Sequence, residues 1–272
     1  MLQHHIGLGP EHLVGNGELG RVVLLPGSRS RAAAIGERFD GLQIIDNPRG
    51  HTAHLGTVSR GGRTLDVLAI SSGMGTPSTE IVAHELIAIG ARRIVRVGSC
   101  GSLDPAVPAG SVAILSGAVR DEMSSRHLAP VEVPAVAHPD AVAAMIAGAR
   151  DADLADYAYV GVGHSKASFY ARELGHGPMA EENRAYMRLL ARCGVIASEM
   201  EASLLFVLAA AASAGRAAPI SAAGAAVRVQ AACVLGVYAY YESEGPLDPE
   251  LCRKADQRAI DTALAGIFRW VG

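Results

Sequence analysis

Ile94–Leu103 reads IVRVGSCGSL, and the architecture of the whole chain follows from how this stretch is taken. Ile94, Val95 and Val97 are the apolar residues of a short buried strand, and Gly98-Ser99-Cys100-Gly101 reads as the turn that ends it. Two glycines let a backbone bend sharply and approach a ligand with no Cβ in the way. Arg96 interrupts the apolar run, and a buried guanidinium without a partner is costly. It therefore meets an anion. That anion is either a bound one, helped by the Ser99 hydroxyl and the turn amides, or an internal carboxylate.

On the N-terminal side, Arg21–Leu25 (RVVLL) reads as a buried strand broken by Pro26-Gly27, with Ser28 or Ser30 capping a helix to about Phe39. A strand, a glycine turn and a helix start point amide N–H groups at the strand end, a natural anion seat, with Arg29 and Arg31 beside it. Leu42–Ile45, His54–Arg60 and Arg63–Ser71 read as strands, the last two joined by Gly61-Gly62 as a hairpin. Arg49 lies in the exposed NPRGH loop. A second glycine turn, Ser72-Gly73-Met74-Gly75, precedes a helix that runs to Gly90.

On the C-terminal side, Ser111–Val119 reads as a strand and Arg120–His138 as a long loop, of the kind that serves as a lid or subunit contact. Ser124 and His127 in it offer a nucleophile and a base, but no carboxylate is placed to orient them. Pro139–Asp151 is a helix, Tyr157–Val162 a strand and Met179–Cys193 a helix. Glu199-Met200-Glu201 opens the apolar helix Ala202–Ala212. One carboxylate at a helix start is explained by the dipole; a pair could also accept hydrogen bonds from vicinal sugar hydroxyls. Ala209–Ala232 reads as a helix end and an Ala-rich surface excursion. Cys233–Ala239 is a last strand, followed by Tyr240-Tyr241, and a C-terminal helix spans about Asp248–Trp270. Strands alternating with helices, plus the early hairpin, predict an α/β fold on a mixed sheet.

The bulk properties narrow the function. A chain of 272 residues, half hydrophobic but only 4% aromatic, suits one large α/β domain over 1–272. A net charge of −3 without a lysine-rich face argues against nucleic acid as a partner. Cys100, Cys193, Cys233 and Cys252 have no paired spacing and read as reduced thiols. No apolar run reaches membrane-spanning length and the N-terminal MLQHHIGLG has no basic-then-apolar signal, so a cytoplasmic protein is expected. There is no G-x-G-x-x-G after a strand and no GxxxxGK[ST]. HTAH at His51–His54 lacks a third ligand, so no metal is expected.

Several segments, in order, resemble the nucleoside phosphorylase family of uridine phosphorylases and hexameric purine nucleoside phosphorylases. They are HHIGLG, LLPGSRSRAAAI, NPRGHTAH, SSGMGTPSTEIVAHELI, IVRVGSCGSL, VRDEMSSRHLAPVEVPAVAH, SFYARE and GVIASEMEASLL, which cover most of the chain to about Leu208. The resemblance implies a mixed sheet partly closed into a barrel and ringed by helices. It implies cleavage of a nucleoside by inorganic phosphate, with no cofactor, to give free base and (deoxy)ribose 1-phosphate. Carried over by position, it implies a phosphate pocket of Gly27, Arg31, Arg96 and Ser99, with Arg49 lent by a neighbouring subunit. Met200 and Glu201 would hold the ribose, joined by His5 from that neighbour, and Arg96 and Glu201 would carry the catalysis. The base would lie near Cys100, Gly101, Phe169 and Glu199, with Arg172 and Tyr241 as further candidates. Such sites imply dimers, often three to a ring as a hexamer.

The departures fall at the base. The uridine branch has a Gln–Arg pair after Phe-Tyr, and SFYARELG has no Gln. The purine branch has a Ser-Asp pair after the last strand, where this chain has Tyr240-Tyr241. A Glu associated with a monovalent cation in the uridine branch is replaced by Gly50, so no such cation is expected. Altered base recognition is the resulting expectation. An N-ribosyl hydrolase on the same scaffold and a silent nucleoside-binding protein are the alternatives.

Overall fold

The computed structural model describes residues 1–214, 228–243 and 245–271. Its frame is a ten-stranded sheet. The strands are β1 (Val22–Leu25), β2 (Asp40–Ile45), β3 (Ala53–Arg60), β4 (Arg63–Ile70), β5 (Arg93–Ser102), β6 (Val112–Asp121), β7 (Ala135–Val136), β8 (Ala158–Lys166), β9 (Val195–Glu199) and β10 (Gln230–Tyr240). The helices are α1 (Arg29–Gly36), α2 (Thr76–Ala88), α3 (Pro139–Asp151), α4 (Ala180–Arg192), α5 (Ala202–Ser213) and α6 (Pro249–Trp270).

Strand β5 organises everything. It pairs in parallel with β1 and β10 and antiparallel with β9. Because β10 also pairs with β6, β6 with β8 and β8 with β9, the strands β5, β10, β6, β8 and β9 close into a barrel. The strands β1, β4, β3 and β2 continue from β5 as an open wing. Parallel and antiparallel pairs coexist, so the sheet is mixed as expected. The Gly61-Gly62 hairpin forms, with both glycines at positive φ (57° and 75°), the two-residue turn that matches the strand twist.

The glycines of the opening stretch do not form a turn. Strand β5 runs on to Ser102, because the backbone from Arg93 to Ser102 is paired residue by residue with β10. Alternation along a strand decides where Arg96 goes. Val95 and Val97 face the apolar layer under α1, α3 and α6, whereas Ile94 faces the layer under α2 and α5. Arg96 shares the face of Ile94 and so points toward the start of α5. A Cβ at Gly98 would stand 2.8 Å from Arg96 Nη2 and from Leu235, so this glycine gives room for the guanidinium to fold back.

Other boundaries moved for identifiable reasons. The Arg120–His138 stretch is not a free loop. Arg120 ends up inside β6, and its guanidinium bonds the Ser125 hydroxyl and the carbonyls of Ser125, Ala129, Pro130 and Val133, bolting the chain into a short 3-10 turn and β7. Ser124 donates to Thr76 rather than meeting His127 as a nucleophile would. Strand β8 extends four residues past Val162 because it pairs with β6 on one side and β9 on the other. Of the Ala209–Ala232 stretch, 209–213 belong to α5, as the expected helix end does, and 230–232 to β10, which corrects its C-terminal end; positions 215–227 lie outside the described residues. Among the described residues no helix is long and apolar enough to cross a membrane.

Candidate active site

The ends of β1, β4, β5, β8, β9 and β10 open into a cavity of about 1170 Å³. Its wall divides into three regions.

At one end lies the turn after β1. Ser28 caps α1 by accepting the N–H of Arg31 at 3.2 Å, and Ser71 and Ser72 of the next glycine turn donate to Gly27 and Pro26 carbonyls. Arg31 is buried, with Nη2 donating to the Tyr238 hydroxyl at 2.7 Å and to Asp256 at 2.8 Å. Arg96 completes this end. It is 5% exposed, donates from Nε to Glu199 at 2.9 Å and is ion-paired from Nη2 to Glu201. Its Nη1 is buried with no hydrogen-bond partner, as is Nε of Arg31. A Cβ at Gly27 would lie 4.0 Å from that orphan Nη1, so the free donor faces the glycine turn. The alternatives left open for Arg96 are therefore both present: two internal carboxylates take part of the guanidinium, and one donor remains for something else. Ser99 lines the same end.

The middle is the Glu199-Met200-Glu201 corner, where β9 turns into α5. Glu199 accepts the N–H of Glu201 at 2.8 Å and of Ala202 at 3.0 Å, doing the helix-start work that the dipole favours. Burial opposes its charge, but Arg96, the Ser165 hydroxyl and these amides hold it below the usual carboxylate range. Glu201 accepts the Gly75 N–H at 2.5 Å. Burial pushes its carboxyl above the usual range, with repulsion from Glu199 adding to this and attraction to Arg96 opposing it. Arg96 itself is held charged: burial works against the cation and the two carboxylates outweigh it.

The far end is formed by Cys100, Gly101, Phe169, Leu174, Tyr240 and Tyr241 together with Lys166, Glu173 and Ser198. The antiparallel β5–β9 register sets Gly101 opposite Ser198, which brings this end beside Glu199. A short π-helical turn, Phe169–Glu173, carries Phe169 and Glu173 over the mouth.

Of the residues singled out by sequence, Gly27, Arg31, Arg49, Arg96, Ser99, Cys100, Gly101, Phe169, Glu199, Met200, Glu201 and Tyr241 border this one cavity. Two do not. Arg172 points to the outside of the barrel, where it binds Asp121 at 2.7 Å and Asn183 at 2.6 Å and lies over the Tyr186 ring. His5 binds Glu85 at 2.6 Å through Nδ1. Arg49 borders the cavity of its own chain, and the Arg29 guanidinium fills the space where a side chain at position 50 would go. Sequence reasoning missed Lys166, Glu173, Tyr238 and Asp256. The available signal was the polar pair Ser165-Lys166 at the end of an apolar strand, which barrel closure buries.

A family model described as the phosphorylase superfamily matches residues 21–228. The chain belongs to the phosphorylase superfamily. Among its relatives is the uridine phosphorylase of Treponema pallidum, 34% identical over 207 residues, which is 76% of each chain. The DeoD-type purine nucleoside phosphorylase of Roseobacter denitrificans is 33% identical over 209 residues, covering 76% of this chain and 80% of the relative. The guanosine phosphorylase of Halorubrum lacusprofundi is 28% identical over 200 residues, covering 74% and 76%. Superfamily membership thus spans pyrimidine and purine relatives at similar identity, and does not by itself select a base.

Proposed function

We propose that this superfamily member is a pentosyltransferase that cleaves the N-glycosidic bond of a nucleoside with inorganic phosphate, giving free base and (deoxy)ribose 1-phosphate. The observation that carries the reading is the orphan Nη1 of Arg96. It is a buried cationic donor with no partner, aimed at the Gly27 turn, on the arginine that also grips Glu201. A tetrahedral oxyanion at this turn would satisfy it.

Phosphate seated there would lie beneath a sugar whose 2′ and 3′ hydroxyls donate to Glu201. The C1′–N bond breaks with its electron pair leaving on the base, a phosphate oxygen bonds to C1′, and the proton that hydrogen phosphate gives up to solvent balances the one the base takes from it. Arg96 positions the nucleophile and matches its charge, while the Glu201 carboxylate complements the positive charge building on the ribose. Base recognition differs from the uridine-type pattern, as the missing Gln indicates. Self-association into dimers, with a hexamer as their assembly, is part of the proposal. It is supported by the neighbouring exposed residues Val136, Val160 and Val162 on the outer face of β7 and β8.

The test is release of free base from a panel of nucleosides with and without phosphate, with ribose 1-phosphate measured directly. Equal release in phosphate-free buffer would exclude phosphorolysis. A second reading, hydrolysis by water, draws on one observation: the Asp256 carboxylate already occupies Arg31 and weakens that end's pull on an anion.

A further inference from the structure

Behind the cavity wall lies a polar side chain that does not border the cavity, yet whose bonds lead to Arg96. Ser165, near the end of β8, is fully buried. The parallel β8–β9 register sets it opposite Glu199, so the two side chains stand next to each other. Its hydroxyl has two partners, and their sense is fixed. The backbone N–H of Ser203, in the first turn of α5, can only donate, and it reaches Oγ at 2.9 Å. The single proton of Ser165 therefore goes to Oε1 of the Glu199 carboxylate.

What that proton does follows from how donors divide over Glu199. Oε2 accepts Arg96 Nε at 2.9 Å and the Glu201 N–H at 2.8 Å. The Ala202 N–H is shared, 3.0 Å from each oxygen. Among the described residues Ser165 is thus the one donor that belongs to Oε1 alone. Without it Oε1 is buried and poorly bonded, which is unfavourable for a charged acceptor. Rotation of the carboxylate relieves this by moving donors from Oε2 to Oε1, and Arg96 Nε moves with them. A guanidinium is planar and rigid, so turning its Nε edge re-aims Nη1, the orphan donor that faces the Gly27 turn.

Resting on the placement of phosphate proposed above, we infer that Ser165 is a positioning residue for the phosphate site, acting through Glu199 to hold Arg96 Nη1 on the Gly27 turn. A cap on α5 and nothing more is the competing role, since Ser165 also satisfies the Ser203 amide. Ser203 supplies the control. Its hydroxyl donates to Glu122 at 3.0 Å, and Glu122 keeps the Ser125 hydroxyl and amide when that bond is lost. Ser203→Ala therefore loosens the start of α5 while retaining the backbone N–H that orients Ser165.

The experiment titrates inorganic phosphate calorimetrically into the native chain, Ser165→Ala, Ser165→Cys and Ser203→Ala, and measures initial rates over phosphate and nucleoside series. In Ser165→Ala the phosphate Kd and KM should both rise roughly tenfold, the scale of one hydrogen bond to a charged group, with KM for nucleoside within about threefold of native. Ser203→Ala should lower the urea midpoint but keep both phosphate constants within about threefold. Ser165→Cys fills the site with a weak donor and covers the case in which the alanine variant does not fold; its phosphate Kd should rise at least about threefold. A phosphate Kd less than about threefold above native in the folded Ser165 variants overturns the inference. So does an equal loss in Ser203→Ala, or a nucleoside KM that rises as far as the phosphate KM. Failure of the phosphorolysis reading looks different. Base release independent of phosphate, with phosphate binding still weakened in Ser165→Ala, removes that reading and leaves the inference standing; a native chain that binds no phosphate removes both.

Discussion

Replacing Arg96 by lysine separates the two tasks of this side chain. The guanidinium spans Glu199 and Glu201 and still aims Nη1 at the Gly27 turn. A lysine ends in one compact ammonium on a different stem; it can neutralise the carboxylate pair but cannot reproduce the fork and reach the turn as well. Both carboxylates keep other donors, Glu199 from Ser165 and two backbone amides, Glu201 from Gly75. Loss of the fork should therefore cost about 1–3 kcal/mol of stability, as for hydrogen bonds to charged groups, and leave the chain folded. The transition state should lose about 2–4 kcal/mol, the range for removing a key electrostatic donor. That is roughly a 30- to 1000-fold drop in kcat/KM for phosphate. Initial rates over a phosphate series at saturating nucleoside measure this, with urea unfolding as the control for folding. Arg96→Lys with kcat/KM for phosphate within about threefold of native, in a folded protein, would refute the placement of phosphate at the Gly27 turn.

Three further outcomes are expected. Asp256→Asn frees Arg31 from its carboxylate, so KM for phosphate should fall; a rise in KM would mean that Asp256 serves to orient Arg31 instead. Gly148→Ala should destabilise by about 1–3 kcal/mol in urea titrations, the usual cost of overpacking, because the new Cβ would meet the α6 backbone at Gly266 only 2.4 Å away. Burial opposes the charge of Asp121, but His164 and Arg172 hold its carboxyl below the ordinary 3.8. A depressed folded-state pKa contributes stability above the unfolded value and loses it as pH falls through the folded one. The unfolding free energy of Asp121→Asn should therefore decline less steeply than that of the native chain from about pH 5 to about pH 3.

Much of this was legible in the sequence, where short-range physics decides. The hairpin at Gly61-Gly62, the 139–151 helix and the strand under Arg96 all carry their own local signals. The glycines of RVGSCG were misread as a turn because a glycine missing its Cβ serves two ends: bending the chain, or making room for a neighbour. Here it makes room, for Arg96 at Gly98 and for Glu173 at Gly101, and only the pairing with β10, some 130 residues on, reveals which. The long-range closure of β8 onto β9 also explains Lys166: a lysine at a strand end ordinarily reaches water, and the barrel leaves it none. Arg172 went the other way, since its position one residue before Glu173 on a tight turn sends the two side chains to opposite sides of the wall.

On the proposed reading, the grips on either side of the scissile bond hang from different kinds of support. Arg96 and Glu199 sit on strands that each carry neighbours on both edges, and Glu201 heads a helix sunk in the interior. Phe169 and Glu173, by contrast, ride on five residues outside the sheet. On that reading, variation in the small appendage would retune which heterocycle is accepted while the chemistry at the glycosidic bond stays fixed, so a library confined to positions 166–174 is the economical route to a new substrate range.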